Sequence, residues 1–124
     1  MTQSRESVAR MRKEIAARFP SEAAFVDAQM LDYDDDAYEV WIERFCDLTN
    51  EAMARRDQLT VQAHLEFVSQ LLSNTDEDGR RAIDVYYAEN MMCNLDPDVK
   101  RWAWPQVPAN LQQLYLDMWG GPRF

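Results

Sequence analysis

The sequence predicts an all-α fold of six or seven helices, arranged either as a compact bundle or as a short HEAT-like stack. Apolar residues recur every three or four positions along most of the chain, and no segment shows the sustained alternation that is typical of strands. Prolines, glycines and capping residues interrupt this pattern at short intervals. Because no linker divides the 124 residues, we expect residues 1–124 to form a single helical domain.

The first half of the chain predicts three helices, each with its own end signals. The first covers about residues 4–18 and stops at Pro20, which cannot continue a helix. Ser21 then caps a short second helix, and after a turn rich in aspartates the third and longest helix covers about residues 35–56. The apolar faces consist of Val8, Met11, Ile15 and Phe19, then Phe25, Val26, Met30 and Leu31, and finally Tyr38, Trp41, Phe45, Leu48 and Met53.

The second half predicts three more helices and one short helical segment. Thr60 is the expected cap of the fourth helix, which ends near Asn74, and a turn at residues 75–79 leads into a fifth helix over about residues 80–94. The remaining boundaries are marked by Asp96 and Pro97 for the short segment, Pro108 for the start of the last helix, and Gly120 and Gly121 for its end.

The centres of the apolar faces predict the core. Cys46 and Cys93 lack CxxC spacing and are expected to be buried free thiols. Trp102 and Trp104 are two residues apart and cannot share one helical face, so one should lie in the core while the other packs on the last helix or stays available to a partner. The predicted core residues are Trp41, Phe45, Leu65, Val68, Leu72, Ile83, Tyr86, Leu114 and Met118.

The charge of the chain is strongly negative and is concentrated in one segment. The formal net charge is −9, and residues 21–51 contain ten acidic side chains but one basic side chain. Such a field repels nucleic acid and anionic membranes and accelerates association with basic partners. We therefore predict a protein partner with a basic surface, and no direct binding of nucleic acid or of a membrane.

The N-terminal segment predicts a cytoplasmic location. Its first 18 residues are polar and rich in arginine, and no apolar run in the chain approaches the roughly 18–20 residues that a membrane span requires. Glu6 and Glu14 argue against an organellar transit peptide, which normally lacks acids.

The sharpest motif lies in residues 32–43, where acidic residues occupy positions 1, 3, 5 and 12 of an EF-hand calcium loop. Ala37 replaces the glycine that the loop needs for its sharp turn, and Glu39 stands where an apolar residue normally locks the loop. We therefore expect no metal site here. Two interpretations stay open: a solvated acidic turn that caps the third helix, or an exposed acidic docking surface.

If the segment is a docking surface, its acids should steer the partner and its tyrosines should anchor it. Charged residues at the edge of an interface mainly raise the association rate, whereas aromatic residues contribute most of the affinity. The candidate partner-binding residues are Tyr33, Asp34, Asp35, Asp36, Tyr38, Glu39 and Glu43.

Catalytic and cofactor motifs are missing from the sequence. His64 is the only histidine, so neither a histidine-rich zinc site nor a Cys/His cluster can be assembled. No nucleophile motif accompanies His64, and no glycine-rich phosphate loop is present. We predict that the protein is not an enzyme and needs no cofactor; an enzyme would require a deep pocket lined by Glu89, His64 or Asp84.

Two stretches of the second half carry a resemblance to known proteins: Ala82-Ile83-Asp84-Val85-Tyr86-Tyr87-Ala88-Glu89-Asn90 and Arg101-Trp102-Ala103-Trp104-Pro105. With the helix pattern around them, they resemble small uncharacterised all-helical bacterial proteins, several of which look like immunity proteins of interbacterial toxin systems. The resemblance implies a cytoplasmic binder that neutralises a toxin. The concentrated acidity agrees, because many toxins that attack nucleic acid have basic active sites.

The leading hypothesis is therefore an immunity protein that neutralises a cognate bacterial toxin by direct binding. The first alternative is an acidic inhibitor that mimics nucleic acid, as some phage anti-defence proteins do. The second is a small helical enzyme.

Overall fold

The computed structural model describes residues 2–124, with side chains from Glu6 onward, and it confirms the all-α fold: these residues contain seven α-helices and no strand. Short 3₁₀ segments at Ala88–Asn90 and Trp104–Gln106 follow α5 and α6. The helices are α1 (Thr2–Arg18), α2 (Pro20–Gln29), α3 (Tyr38–Ala54), α4 (Gln58–Asn74), α5 (Glu77–Tyr86), α6 (Pro97–Ala103) and α7 (Ala109–Trp119).

The packing of the first helix decides between the two predicted architectures. Helix α1 contacts α2 and α3 and also packs against α5, while α3 lies in the middle and contacts α1, α2, α4, α5 and α6. In a HEAT-like stack each helical pair would contact only its neighbours in sequence. The contact between α1 and α5 closes the chain on itself, so the helices form a bundle around α3.

Several helix starts differ from the sequence prediction because another residue provides the cap. Asp57, and not Thr60, caps α4: its carboxylate accepts from the backbone N–H of Thr60 over 3.3 Å and from the Thr60 hydroxyl over 2.8 Å. Asp76 caps α5 through the N–H of Gly79, so this helix begins inside the expected turn. Helix α2 starts at Pro20 without a side-chain cap, which shows that Ser21 does not have the predicted role.

The fifth helix is shorter than predicted because a side chain of α3 forms hydrogen bonds with the backbone that follows it. Asn50 accepts from the N–H of Met92 over 2.8 Å and donates to the carbonyl of Asn90 over 2.9 Å. Met92 and Asn94 have positive φ angles of 65° and 62°, which an α-helix does not allow. The chain therefore leaves the helix after Tyr86.

Most of the predicted core is buried, with two exceptions that follow from the helix boundaries. Met118 lies in the last turn of α7, beyond the core, and is exposed. Tyr86 is only half-buried, whereas Tyr87, where α5 ends, turns inward and is fully buried. The seven confirmed members are Trp41, Phe45, Leu65, Val68, Leu72, Ile83 and Leu114.

The apolar face predicted for the second helix is wrong at two positions. Phe25 lies on the outer side of α2 and is exposed. Leu31 follows the end of α2 at Gln29, so the helical spacing no longer applies to it, and it is 84% exposed. Both are apolar side chains in contact with solvent.

The cysteine prediction holds for one residue of the two. Cys46 is buried on α3, and its thiol donates to the carbonyl of Tyr87 over 3.3 Å. Cys93 is exposed because it lies in the turn after the Ala88–Asn90 segment and not in a helix.

The two tryptophans of the sixth helical region are both half-buried. Trp104 packs on α7, with its ring centre 5.4 Å from that of Tyr115. The ring of Trp102 faces the guanidinium of Arg56, whose carbon lies 5.8 Å from the ring centre.

None of the helices in residues 2–124 combines the length and the apolarity that are needed to cross a bilayer.

Candidate functional site

The predicted docking residues lie in the loop between α2 and α3 and on the first two turns of α3. We call residues 30–37 the acidic loop. Tyr33, Asp34, Asp35 and Asp36 are exposed in it. Tyr38, Glu39 and Glu43 follow on α3 and are half-buried.

Helix α3 has no side-chain cap from the residue at its N-cap position. The N-cap position is Ala37, which has no side-chain acceptor, and the first turn of the helix contains Glu39. The loop is held by backbone bonds, from the N–H of Ala37 to the carbonyl of Asp34 over 3.1 Å and from the N–H of Tyr33 to the carbonyl of Met30 over 3.0 Å. The backbone of the loop thus contributes to its shape, and both interpretations of its carboxylates stay open.

Arg44, the one basic residue of the acidic segment, is engaged within it. A side-chain hydrogen bond with Tyr33, followed by a contact with Asp47, raises the pKa of the Arg44 guanidinium above its ordinary value, although partial burial acts against this. The distance between Arg44 and Asp47 is 3.4 Å. Because Arg44 lies on α3, its interaction with Tyr33 connects the acidic loop to that helix.

A cleft of about 290 Å³ lies between the acidic loop, α1, α2 and α3. Four of the predicted docking residues contribute to its lining, and Leu31 joins them. Asp36, Glu39 and Glu43 do not belong to this lining, so the structure divides the predicted site into a cleft and an adjacent acidic edge. The predicted residues that line the cleft are Tyr33, Asp34, Asp35 and Tyr38.

Arg12, Asp27 and Trp41 line one side of the cleft, which we call its inner wall. Asp27 connects the other two residues, and sequence reasoning did not single it out. Its Oδ1 accepts from the indole N–H of Trp41 over 2.8 Å and from the Arg12 guanidinium over 3.2 Å. The guanidinium carbon of Arg12 lies 5.6 Å from the centre of the Trp41 ring. One carboxylate therefore ties α1, α2 and α3 together beneath the loop.

Metal binding has no geometric support in the described part of the chain. Among those residues, no group of three or more histidine, cysteine, aspartate or glutamate side chains could hold a metal ion. The aspartates at EF-hand spacing are included in that statement, since residues 32–43 are all described.

A chain of four polar side chains, three of them buried and the fourth, Glu22, 30% exposed, is the second feature that sequence reasoning missed. His64 is 1% exposed; its Nδ1 lies 2.9 Å from the Thr49 hydroxyl, and its Nε2 lies 3.0 Å from Oε2 of Glu22. The Thr49 hydroxyl also lies 2.8 Å from the hydroxyl of Tyr87. We call Glu22, His64, Thr49 and Tyr87 the buried polar chain.

One set of bond directions satisfies every atom of the buried polar chain. Burial raises the pKa of Tyr87 well above its ordinary value, so its hydroxyl keeps the proton and donates to Thr49. Thr49 then donates to Nδ1 of His64 at 2.9 Å in preference to the backbone carbonyl of Phe45 at 3.4 Å, and the Nε2–H of His64 donates to Glu22. Burial lowers the pKa of His64, against the opposing effects of Glu22 and then Asp57. The histidine is therefore neutral at pH 7.

The residues named for an enzymatic alternative lie in different surroundings. The rings of Phe19 and Phe45 enclose His64, with centres 4.7 and 4.6 Å from its own. Glu89 lines a separate cleft of about 400 Å³ beside Tyr115 of α7. Asp84 is half-buried on α5.

Residues 12–120 match the model of a family described as a domain of unknown function, DUF7674. The chain belongs to the DUF7674 family. The DUF7674 domain as matched begins within α1 and ends just after α7, so it includes the acidic loop, its cleft and the buried polar chain. No curated protein and no solved structure matches the chain.

Proposed function

We propose that this DUF7674 protein is a protein-binding domain, and more specifically an immunity protein that neutralises a cognate bacterial toxin in the cytoplasm. The observation that carries the proposal is the composition of the acidic loop. Leu31 is 84% exposed and Tyr33 is 44% exposed, and both adjoin the exposed carboxylates of Asp34, Asp35 and Asp36.

This combination fits a protein interface because its two kinds of residue act at different stages of binding. The carboxylates raise the association rate of a basic partner by long-range attraction. The apolar and aromatic side chains then lose their contact with water, and aromatic residues near the centre of an interface contribute most of the affinity. Leu31 and Tyr33 therefore supply the apolar surface that the acids of the loop lack.

A toxin that acts on nucleic acid is the partner chemistry that this surface suits best. Such a toxin must offer a basic surface to the phosphate backbone. The acidic loop would compete for that surface, and the exposed Leu31 and Tyr33 would add contacts that a phosphate backbone does not offer. The resemblance of residues 53–124 to bacterial proteins similar to immunity proteins supports the same interpretation.

The direct test is protection of growing cells. The reading frame beside this gene is cloned, and the C-terminal domain of any large secreted toxin it encodes is expressed with or without this chain. We expect the toxin domain alone to stop growth and the wild-type chain to restore it. The triple variant Asp34→Asn, Asp35→Asn, Asp36→Asn should protect less well at equal protein level.

A matched control separates the loop from overall charge. The variant Glu51→Gln, Glu66→Gln, Asp117→Asn also loses three carboxylates, but from exposed positions outside the acidic loop. It should protect as well as the wild type. A neighbouring gene for an unrelated metabolic enzyme, or a toxin that the wild-type chain neither binds nor neutralises, would overturn the immunity proposal.

A further inference from the structure

The cleft beside the acidic loop already holds one arginine side chain of the protein itself. The guanidinium of Arg12 lies against the face of the Trp41 ring, 5.6 Å from its centre, and donates to Asp27 over 3.2 Å. A planar cation between an aromatic ring and a carboxylate is a favourable arrangement for arginine. The inner wall thus shows how this part of the surface binds a guanidinium.

The outer part of the same cleft repeats these two kinds of group. Tyr33 and Tyr38 contribute aromatic rings to the lining, and Asp34 and Asp35 contribute carboxylates. On the inner wall, both bonds to Asp27 end on Oδ1, so Oδ2 can accept from a further donor. The cleft therefore offers the Tyr33 ring and further carboxylate acceptors besides the groups that Arg12 uses.

The cleft has room for a side chain. Its volume of about 290 Å³ lies just below the roughly 300–1,000 Å³ that is usual for small-molecule sites. No group of ligands for a metal ion is present among the described residues. An organic cation of side-chain size is compatible with both this volume and the carboxylates of the lining.

We propose that this cleft receives an arginine side chain from the basic partner, with the guanidinium against Tyr33 and bonded to Asp34 and Asp35. The inference rests on the proposed function and deepens it by naming the chemistry that is recognised. Arginine fits better than lysine, because its planar guanidinium stacks on rings and binds carboxylates through two parallel bonds, whereas the lysine ammonium is a compact, strongly hydrated charge.

The test uses short oligoarginine and oligolysine peptides of equal length with the full chain. Binding is followed by nuclear magnetic resonance through the indole N–H signal of Trp41, which donates to Asp27 at the inner wall. We expect oligoarginine to shift this signal at lower concentration than oligolysine. Asp34→Asn with Asp35→Asn should weaken oligoarginine binding about tenfold, as expected for the loss of two charge-assisted contacts.

The control is a double variant with the same loss of charge, Glu66→Gln with Asp117→Asn, both at exposed positions outside the cleft. Its oligoarginine affinity should stay within about twofold of the wild type, because distant exposed charges are screened by salt. Equal weakening by the two double variants, equal binding of the two peptides, or an unmoved Trp41 signal would each overturn the arginine proposal. Protection against a toxin in cells would survive such a failure, since the loop could still dock a partner without using the cleft.

Discussion

Nε2 of His64 lies 3.0 Å from Oε2 of Glu22, and this contact joins the buried interior of α4 to the half-exposed start of α2. The histidine is 1% exposed, whereas the glutamate side chain is 30% exposed. The protein therefore keeps a neutral imidazole in its core and connects it to solvent through a carboxylate.

Acidification below neutral pH should destabilise the fold through His64. Burial, opposed by Glu22 and Asp57, holds its folded pKa below the ordinary value. The unfolded state thus binds a proton more readily, so the stabilisation is complete above the unfolded pKa of about 6.5 and is lost as pH falls through the lower, folded pKa. Urea unfolding at about pH 7.5 and about pH 5.5 should give the smaller free energy of unfolding at the lower pH.

The variant His64→Gln is the control, because it cannot titrate in this range. Its free energy of unfolding should be lower overall but nearly constant between the two pH values. Asp57 and Asp76 do not contribute to the difference between the two pH values. Hydrogen bonds from Thr60 to Asp57 and from Ser7 to Asp76 lower the pKa values of these carboxylates, so both titrate below the tested range. A wild-type stability that does not change between the two pH values would contradict the neutral, buried histidine.

Removal of the Thr49 hydroxyl should be more costly than its size suggests. In Thr49→Val, Nδ1 of His64 and the hydroxyl of Tyr87 lose the partner that both contact. A buried polar group without a hydrogen bond costs about 1–3 kcal/mol. Chemical denaturation should show a loss in that range or above, while Thr49→Ser, which keeps the hydroxyl, should lose less. If the two variants are equally stable, the hydroxyl is not part of a buried chain.

The buried polar chain marks the limit of what the sequence could predict. Apolar spacing was sufficient to place α1, α3, α4 and α7, because one face of each helix must be covered. The same spacing cannot show which polar side chain on a covered face meets which partner. His64 and Thr49 are 15 residues apart and Thr49 and Tyr87 are 38 apart, so their meeting depends on the packing of whole helices.

The acidic loop was predictable in its position along the chain, whereas the cleft beside it was not. Local charge density identified Asp34 to Asp36 directly, because no packing is needed to count charges. The cleft depends on Asp27, whose bonds to Trp41 and Arg12 join three helices. The exposure of Leu31 was missed since it depends on where α2 ends, and helix ends are set by local and tertiary bonds together.

Two leucines of α4 provide a matched test of the core. Leu65 is fully buried, whereas Leu59 is 81% exposed. Leu65→Ala removes buried contacts and leaves a cavity, so we expect a loss of about 2–5 kcal/mol. Leu59→Ala should change the free energy of unfolding by less than about 0.5 kcal/mol. Both free energies of unfolding are measured by chemical denaturation under the same conditions. A comparable loss in the two variants would mean that the buried face of α4 is assigned wrongly.

The two thiols should differ sharply in reactivity. Cys93 is exposed, whereas burial, and then the nearby charges of Asp47 and Glu43, raise the pKa of Cys46 well above its ordinary value. Since the thiolate is the reactive form, Cys46 is protected twice. A disulfide reagent should modify one thiol promptly in the native protein and the second only after unfolding. Cys93→Ser should abolish the prompt phase, and a prompt phase that persists would show that Cys46 is accessible.

The acidic loop should act mainly on the association rate of a basic partner. Because Asp34, Asp35 and Asp36 are exposed, replacing all three with asparagine removes long-range attraction without removing buried contacts. We expect a slower association and a shallower dependence on salt, measured by stopped-flow mixing at about 50 mM and about 300 mM salt, where screening differs strongly.

Dissociation should change less, whereas Leu31→Ala, which removes an exposed apolar anchor, should act mainly on dissociation. The folded state should be unaffected or slightly stabilised, because all three carboxylates are exposed and carry the same charge. Association rates and salt slopes equal to those of the wild type would mean that the partner approaches another face of the bundle.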